Sequence, residues 1–180
     1  MNRREALSSV ALLLGGTIIG SSAFLSGCKA NPDAAAGVLS AADMSLLNDI
    51  AEIIIPTTNT PGAKAAKVGE FMGVIVTDCY DAKDQKVFKD GLAALASKFS
   101  AANAEAQQKM IVDLDAEAKK YQETKTAEQP THYFTMIKQL TLWGYFSSEI
   151  GATQALRYVA IPGKYEGCIP YKKGDKAWAT

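Results

Sequence analysis

The chain has 180 residues, with 19 basic side chains, 19 acidic ones and a single histidine. Balanced charge without a like-charge block leaves no electrostatic footprint for nucleic acid. With Cys28 read as a lipid site and Cys79 and Cys168 as a pair, a single histidine would leave a zinc or haem site to unusual ligands.

The first thirty residues read as an export signal. Arg3 and Arg4 form a charged start, Val10 to Phe24 is apolar and small, and "LSGC" ends the segment at Cys28. That is the layout of a secretory signal peptide over residues 1–27. The arginine pair resembles a twin-arginine signal, which exports folded proteins. Asn2 and Ala6 depart from that pattern, and an ordinary Sec signal is the alternative. "LSGC" resembles a bacterial lipobox, which makes Cys28 the expected lipidation site. Acyl chains worth about 0.8 kcal/mol per buried methylene would anchor the protein in the cell envelope, on its periplasmic side. The competing reading is an uncleaved membrane helix over Leu7 to Phe24, weakened by Gly15, Gly16, Gly20, Ser21 and Ser22. Without residues 1–27 the net charge is −1, and the remainder suffices for one domain with a core.

Residues 28–39, including "KANPDAAAG", read as a flexible tether. Residues 40–160 read as a helical domain. Ser40 is an expected N-cap, with Asp43 at the third helical position. Met44, Leu47, Ile50, Ala51 and Ile54 follow at helical spacing, and Pro56 stops the helix. "PTTNTPGA", Pro56 to Ala63, reads as a rigid turn.

A second helix is predicted from Lys64 to Tyr80, burying Val68, Phe71, Met72, Ile75, Val76 and Cys79. A third runs from Asp84 to Phe99 on a face of Val87, Phe88, Leu92, Leu95 and Phe99, with Gly91 as a weak point. A fourth runs from Ala104 to Tyr121, with Met110, Ile111, Leu114 and Ala118 inward. From His132 the pattern changes. "HYFTMIKQLTLWGYFSSEIG" is apolar nearly all round, the mark of a helix that is central or shared with a partner. A short helix from Ser148 to Tyr158 follows. Residues 161–180 have no helical period and read as an extended arm, and segments of that kind are functional or disordered. The expected fold is an all-α, irregular bundle of five to six helices with this C-terminal arm.

With Cys28 assigned to lipid, Cys79 and Cys168 form an even pair, expected as a disulfide in an oxidising compartment. Closing a loop of roughly 90 residues would contribute about 4 kcal/mol in the chain-entropy picture. There is no Walker loop, no strand followed by GxGxxG and no CxxCH, so no cofactor-binding, metal-binding or catalytic residue is singled out. Most of the acids, Asp78, Asp81, Asp84 and Glu149 among them, lie in charged, solvated stretches, and no pair is singled out by its setting. A general base at His132 is conceivable, but a role at a helix start is the stronger reading.

Two stretches, "ADMSLLNDIAEIIIPTTNTPGAKAAKVGEFMGVIV" and "TLWGYFSSEIGATQALRYVAIPGKYEGCIPY", resemble the two end blocks of gluconate 2-dehydrogenase subunit 3, the small or gamma subunit. The resemblance covers about Leu39 to Tyr171. It implies a non-catalytic chain that aids folding, export or anchoring of a large glucose-methanol-choline-type flavoprotein oxidising a sugar or sugar acid. FAD is then expected in that partner, and haem c in a cytochrome c subunit is a further expectation. The lipobox at Cys28 is not a fixed feature of the family. Large aromatics dominate protein interfaces, so Trp143, Tyr145, Phe146, Tyr158, Tyr165 and Tyr171 are the expected partner contacts, with a core role an equal alternative for Trp143 and Phe146. The alternatives are a stand-alone envelope lipoprotein binding a small ligand, and an independent enzyme centred on His132.

Overall fold

The computed structural model describes residues 37–179, apart from 162 and 165. The expectations for Arg3, Arg4, Cys28 and Tyr165 lie outside the described residues. From Gly37 onward the chain forms one unit, and its regular structure is helical.

Helix α1 spans Ala41–Ile54. Its start is the expected capping box: the Asp43 N–H donates to Ser40 Oγ at 3.2 Å, and the Ser40 N–H donates back to the Asp43 carboxylate at 2.9 Å. Two orphan donors are satisfied reciprocally. The helix ends ahead of Pro56, whose ring disfavours helical geometry at the residue before it.

Helix α2 spans Val68–Cys79, four residues shorter at its start than the periodicity predicts. Lys64 to Lys67 instead close a tight turn, with the Lys67 N–H on the Lys64 carbonyl at 3.0 Å. Lys67 then adopts a left-handed backbone, φ 54°. The entry of α2 is capped from another helix: Asn48 Oδ1 on α1 accepts the Gly69 N–H at 2.8 Å. A cap supplied 21 positions away leaves no local sequence signal.

Helices α3, Ala82–Ala101, and α4, Ala104–Thr124, carry local caps. Asp81 accepts the Asp84 N–H at 2.8 Å, and Asn103 accepts the Ala106 N–H at 2.9 Å. Phe88, Leu92, Leu95 and Phe99 are buried as expected, and so are Ile111 and Ala118. Val87, Met110 and Leu114 lie half-buried at the core's edge.

Helix α5, Tyr133–Ser147, packs against α1, α2, α3 and α4. It is therefore the central helix, which explains its loss of a one-sided apolar stripe. Phe134, Met136, Ile137, Leu140 and Tyr145 fill the core from it. Gly91 of α3 is explained by this packing: a Cβ there would lie 2.2 Å from the Tyr133 ring. The glycine lets α3 and α5 approach closely and does not mark a break.

A five-residue π-helical turn, Gly151–Ala155, replaces the helix expected to reach Tyr158. Ser148 Oγ accepts the Gly151 N–H at 3.0 Å and donates to the Tyr145 carbonyl at 2.6 Å, so the chain restarts there. The wide turn closes where the Leu156 N–H meets the Gly151 carbonyl at 2.9 Å. Among the described residues beyond it there is no helix, and one isolated parallel bridge pairs Arg157 with Trp178. No helix among the described residues is long and apolar enough to cross a membrane.

Candidate partner interface

Helix α5 has two faces. Its inner face is core, and its outer face leaves Leu142, Trp143 and Phe146 exposed. Trp143 is 56% exposed although it is one of the largest apolar side chains. It is held in place from one side: the Phe71 ring of α2 meets it edge-to-face at 5.2 Å between centroids. That T-shaped geometry sets the positive edge of one ring against the negative face of the other. Gly144 makes room for the pair, because a Cβ there would lie 2.6 Å from Phe71. Phe146 is similarly steadied by a T-shaped contact with Tyr145, at 5.2 Å between centroids. On α2, Val74 stands one turn from Phe71 and is also exposed.

The expected contact residues separate on this basis. Trp143, Phe146, Tyr158 and Tyr171 are exposed. Tyr145 is not: it is 1% exposed, and its hydroxyl donates to the Pro61 carbonyl at 2.7 Å. Its expected interface role is corrected to a core and tethering role. Two positions beyond Trp143 on a helix, its side chain must turn away from the face that Trp143 occupies.

The cysteines differ from expectation too. Cys79 and Cys168 are free thiols, both exposed, and the expected bridge is not formed. Cys79 sits in the last turn of α2, where the buried stripe of Val68, Met72 and Val76 has already run out of core to cover.

The loop "PTTNTPGA" is a rigid turn with an anchor that the sequence did not disclose. Glu52 of α1 accepts the Thr57 N–H at 2.9 Å, the Thr57 hydroxyl at 2.7 Å and the Lys64 N–H at 3.0 Å. Thr57 Oγ1 accepts the Gly62 N–H at 3.0 Å. Burial pushes the Glu52 carboxyl up, but the bonds from Thr57 and Lys64 and the Lys64 charge outweigh it and hold the group below its usual range. Lys64 also pairs with Asp49 at 2.6 Å on the surface.

His132 is the N-cap of α5. Its Nδ1 accepts the Phe134 N–H at 3.2 Å, which requires a neutral ring with the proton on Nε2. Burial lowers its pKa, against the opposing pull of the Glu117 carboxylate 3.9 Å from Nε2. The histidine is thus engaged in starting a helix. Among the described residues, no three His, Cys, Asp or Glu side chains gather to hold a metal ion. Two surface grooves of 330 and 400 Å³ border α4, lined by charged side chains such as Lys109, Asp113 and Glu117 in one and Asp115, Lys119 and Lys138 in the other.

Sequence reasoning missed Asn48, Glu52, Arg157 and Trp178. The last two meet at the base of the C-terminal segment, with the guanidinium carbon 3.8 Å from the indole centroid. Their separation in the chain hides the pairing.

The fold and its surface define an all-helical chain whose central helix keeps one aromatic face for the outside. Residues 41–163 match the family model for gluconate 2-dehydrogenase subunit 3, and the chain belongs to that family. It is accordingly one subunit of a multi-subunit dehydrogenase. No curated protein and no solved structure matches the chain.

Proposed function

We propose that this chain is the non-catalytic small subunit of a membrane-associated, FAD-dependent dehydrogenase that oxidises a sugar or sugar acid. Its work is to aid folding, export or anchoring of the large flavoprotein subunit. The observation that carries this reading is the outer face of α5, where Leu142, Trp143 and Phe146 stay exposed on the helix that centres the core. A rigid helix face with aromatic anchors is the kind of surface that concentrates binding energy in few residues. Family membership supplies the setting, since a third subunit has other subunits to bind.

In this reading FAD resides in a glucose-methanol-choline-type partner, and haem c in a cytochrome c subunit. Arg3 and Arg4 direct export through the twin-arginine route, and a lipid on Cys28 holds the complex at the periplasmic side of the envelope. A flavoprotein that acquires FAD in the cytoplasm must cross folded, so a signal on the small subunit can serve both chains.

The test is purification of the tagged chain from membranes of its own host in mild detergent. A co-purifying large subunit with a flavin absorption spectrum is the expected result. Recovery of the small chain alone overturns the reading. Replacing Arg3 and Arg4 together by lysine is expected to strand the large subunit in the cytoplasm, and arrival of that subunit at the envelope would refute shared export.

A further inference from the structure

After the π-helical turn the chain leaves the bundle and then returns to the same place. The Arg157 N–H donates to the Ala177 carbonyl at 2.8 Å, and the Ala179 N–H donates to the Arg157 carbonyl at 3.0 Å. The Arg157 guanidinium stacks on the Trp178 ring, 3.8 Å from its centroid. The Lys176 ammonium adds a bond to the Gln154 carbonyl. Residues 158–176 are thereby a loop closed at its base, not a free tail.

The side chains of this loop face the wrong way for a loop that only covers its own core. Ile161 is 85% exposed and Tyr171 78%, and Tyr158, Val159 and Ile169 are exposed as well. Apolar groups held out in water gain nothing within the chain, while closing a loop this long has an entropic cost. A closed loop with outward apolar residues makes sense when a second surface covers them, because tying its two ends lowers the entropy still to be lost on binding.

The composition favours a protein as that surface. Tyrosine and isoleucine alternate with charges of both signs, including a Lys164–Glu166 pair at 2.6 Å and Asp175, whose carboxylate accepts the Lys172 N–H at 3.1 Å. Exposed apolar side chains interleaved with charges of both signs suit a protein surface. A membrane-surface segment would instead show an amphipathic helix, which the described residues of this loop do not form. The family match ends at residue 163. The anchor Arg157 lies inside the matched region, and most of the loop lies beyond it.

We propose that Arg157 and Trp178 form a clasp that presents residues 158–176 as a recognition loop for the large subunit of the dehydrogenase. Tyr158, Ile161, Ile169 and Tyr171 make the contact; Arg157 and Trp178 are positioning residues. This rests on the reading of the chain as a dehydrogenase subunit, and it places partner choice in the loop.

The test uses the full chain co-expressed with its large subunit, with binding followed through the flavin absorbance of the complex and stability through the Tm of the small chain alone. Replacing Ile169 and Tyr171 together by serine is expected to raise the Kd about tenfold or more, in the range of interface anchor residues. Trp178→Ala is expected to raise it about fivefold through lost pre-organisation, and Trp178→Phe, which keeps a ring for the guanidinium, to restore most of it. Tm should stay within about 2 °C of wild type in all three, as for exposed positions. Wild-type affinity in the double variant and in Trp178→Ala overturns the loop proposal and leaves the subunit reading standing. Failure of the wild-type chain to bind any flavoprotein overturns both. A loss confined to self-association or to binding of anionic lipid vesicles also overturns the proposal.

Discussion

The Tyr145 hydroxyl donates a 2.7 Å hydrogen bond to the Pro61 carbonyl, 84 residues earlier in the chain. This bond joins the two blocks on which the family resemblance rests. The first block supplies a rigid loop after α1, and the second supplies the C-terminal half of the central helix. With its ring buried and only its hydroxyl reaching the loop, Tyr145 fixes where the loop sits on the bundle. Tyr145→Phe keeps the ring and removes the bond, and should lower stability by about 1 kcal/mol. Tyr145→Ala also opens a cavity and should cost about 3–5 kcal/mol, the range for large aromatic truncations. Chemical denaturation of the two variants checks both, with unchanged m-values expected for the first.

The entry of α2 depends on Asn48, which is nearly fully buried. Its Oδ1 accepts the Gly69 N–H, and its Nδ2 donates to Glu70 at 2.9 Å. Asn48→Leu strands a buried N–H and should destabilise by about 1–3 kcal/mol. Asn48→Asp keeps the acceptor but sets a second carboxylate against Glu70. It should therefore be more harmful at neutral pH than under mildly acidic conditions. Equal loss at both pH values would show that the Glu70 contact has no influence.

Glu52 makes the first loop sensitive to acid. Its carboxyl is held below the usual glutamate value of 4.5, because its hydrogen bonds and the Lys64 charge favour the ionised form despite burial. The sign follows by linkage: the stabilisation is present above the unfolded-state pKa and is lost as pH falls through the lower folded-state value. Glu52→Gln should remove that part of the acid dependence and lower stability near neutrality, where a weaker acceptor faces Thr57 and Lys64. Thermal melts of both proteins from pH 7 to pH 3 should converge at the acid end.

Much of this fold was legible because its signals are local. The Ser40 capping box, the stop at Pro56 and the apolar spacing from Phe88 to Phe99 each lie within a few residues, and each appears in the structure. The misreadings share one cause, which is long range. Lys67 breaks the expected helix because Asn48 caps it from another element. Tyr145 lay in a stretch so rich in aromatics that its two faces could not be told apart without knowing what packs on it. Cys79 fits the apolar period of α2, but the core ends before the helix does. The candidate interface was half legible for the same reason: composition points to the α5 segment, and only packing separates Trp143 from Tyr145.

His132 couples the start of α5 to protonation. Its Nδ1 must stay unprotonated to accept the Phe134 N–H. Burial lowers the folded-state pKa, only partly offset by Glu117. A histidine held neutral contributes stability above its unfolded-state pKa, and that contribution is lost as pH falls through the lower folded value. His132→Asn supplies a good cap without a titrating group. It should melt near the wild-type temperature at pH 8 and above it at pH 5. His132→Ala should lose about 1 kcal/mol at pH 8. A wild-type profile that stays flat from pH 8 to pH 5 while the Asn variant does the same would remove the protonation argument.

Trp143 separates a role in binding from a role in folding. More than half of it is exposed, and it pairs within the chain with the Phe71 ring in a T-shaped contact. Trp143→Ala therefore forfeits one aromatic pair, worth about 0.5–1.5 kcal/mol beyond area burial, and a partly buried surface. The fold should survive with a small drop in Tm. A central tryptophan in an interface can carry 2 kcal/mol or more of binding, which is at least about a thirtyfold rise in Kd, since each 1.4 kcal/mol is tenfold. Phe146→Ala should act in the same direction with a smaller effect, because its ring already leans on Tyr145. The two substitutions lie one turn apart on one face, so their binding losses should not add fully. Titration of the purified large subunit against each variant, with circular dichroism confirming helix content, measures this directly. If Trp143→Ala binds as wild type does, the outer face of α5 is not the contact, whatever else holds the complex together.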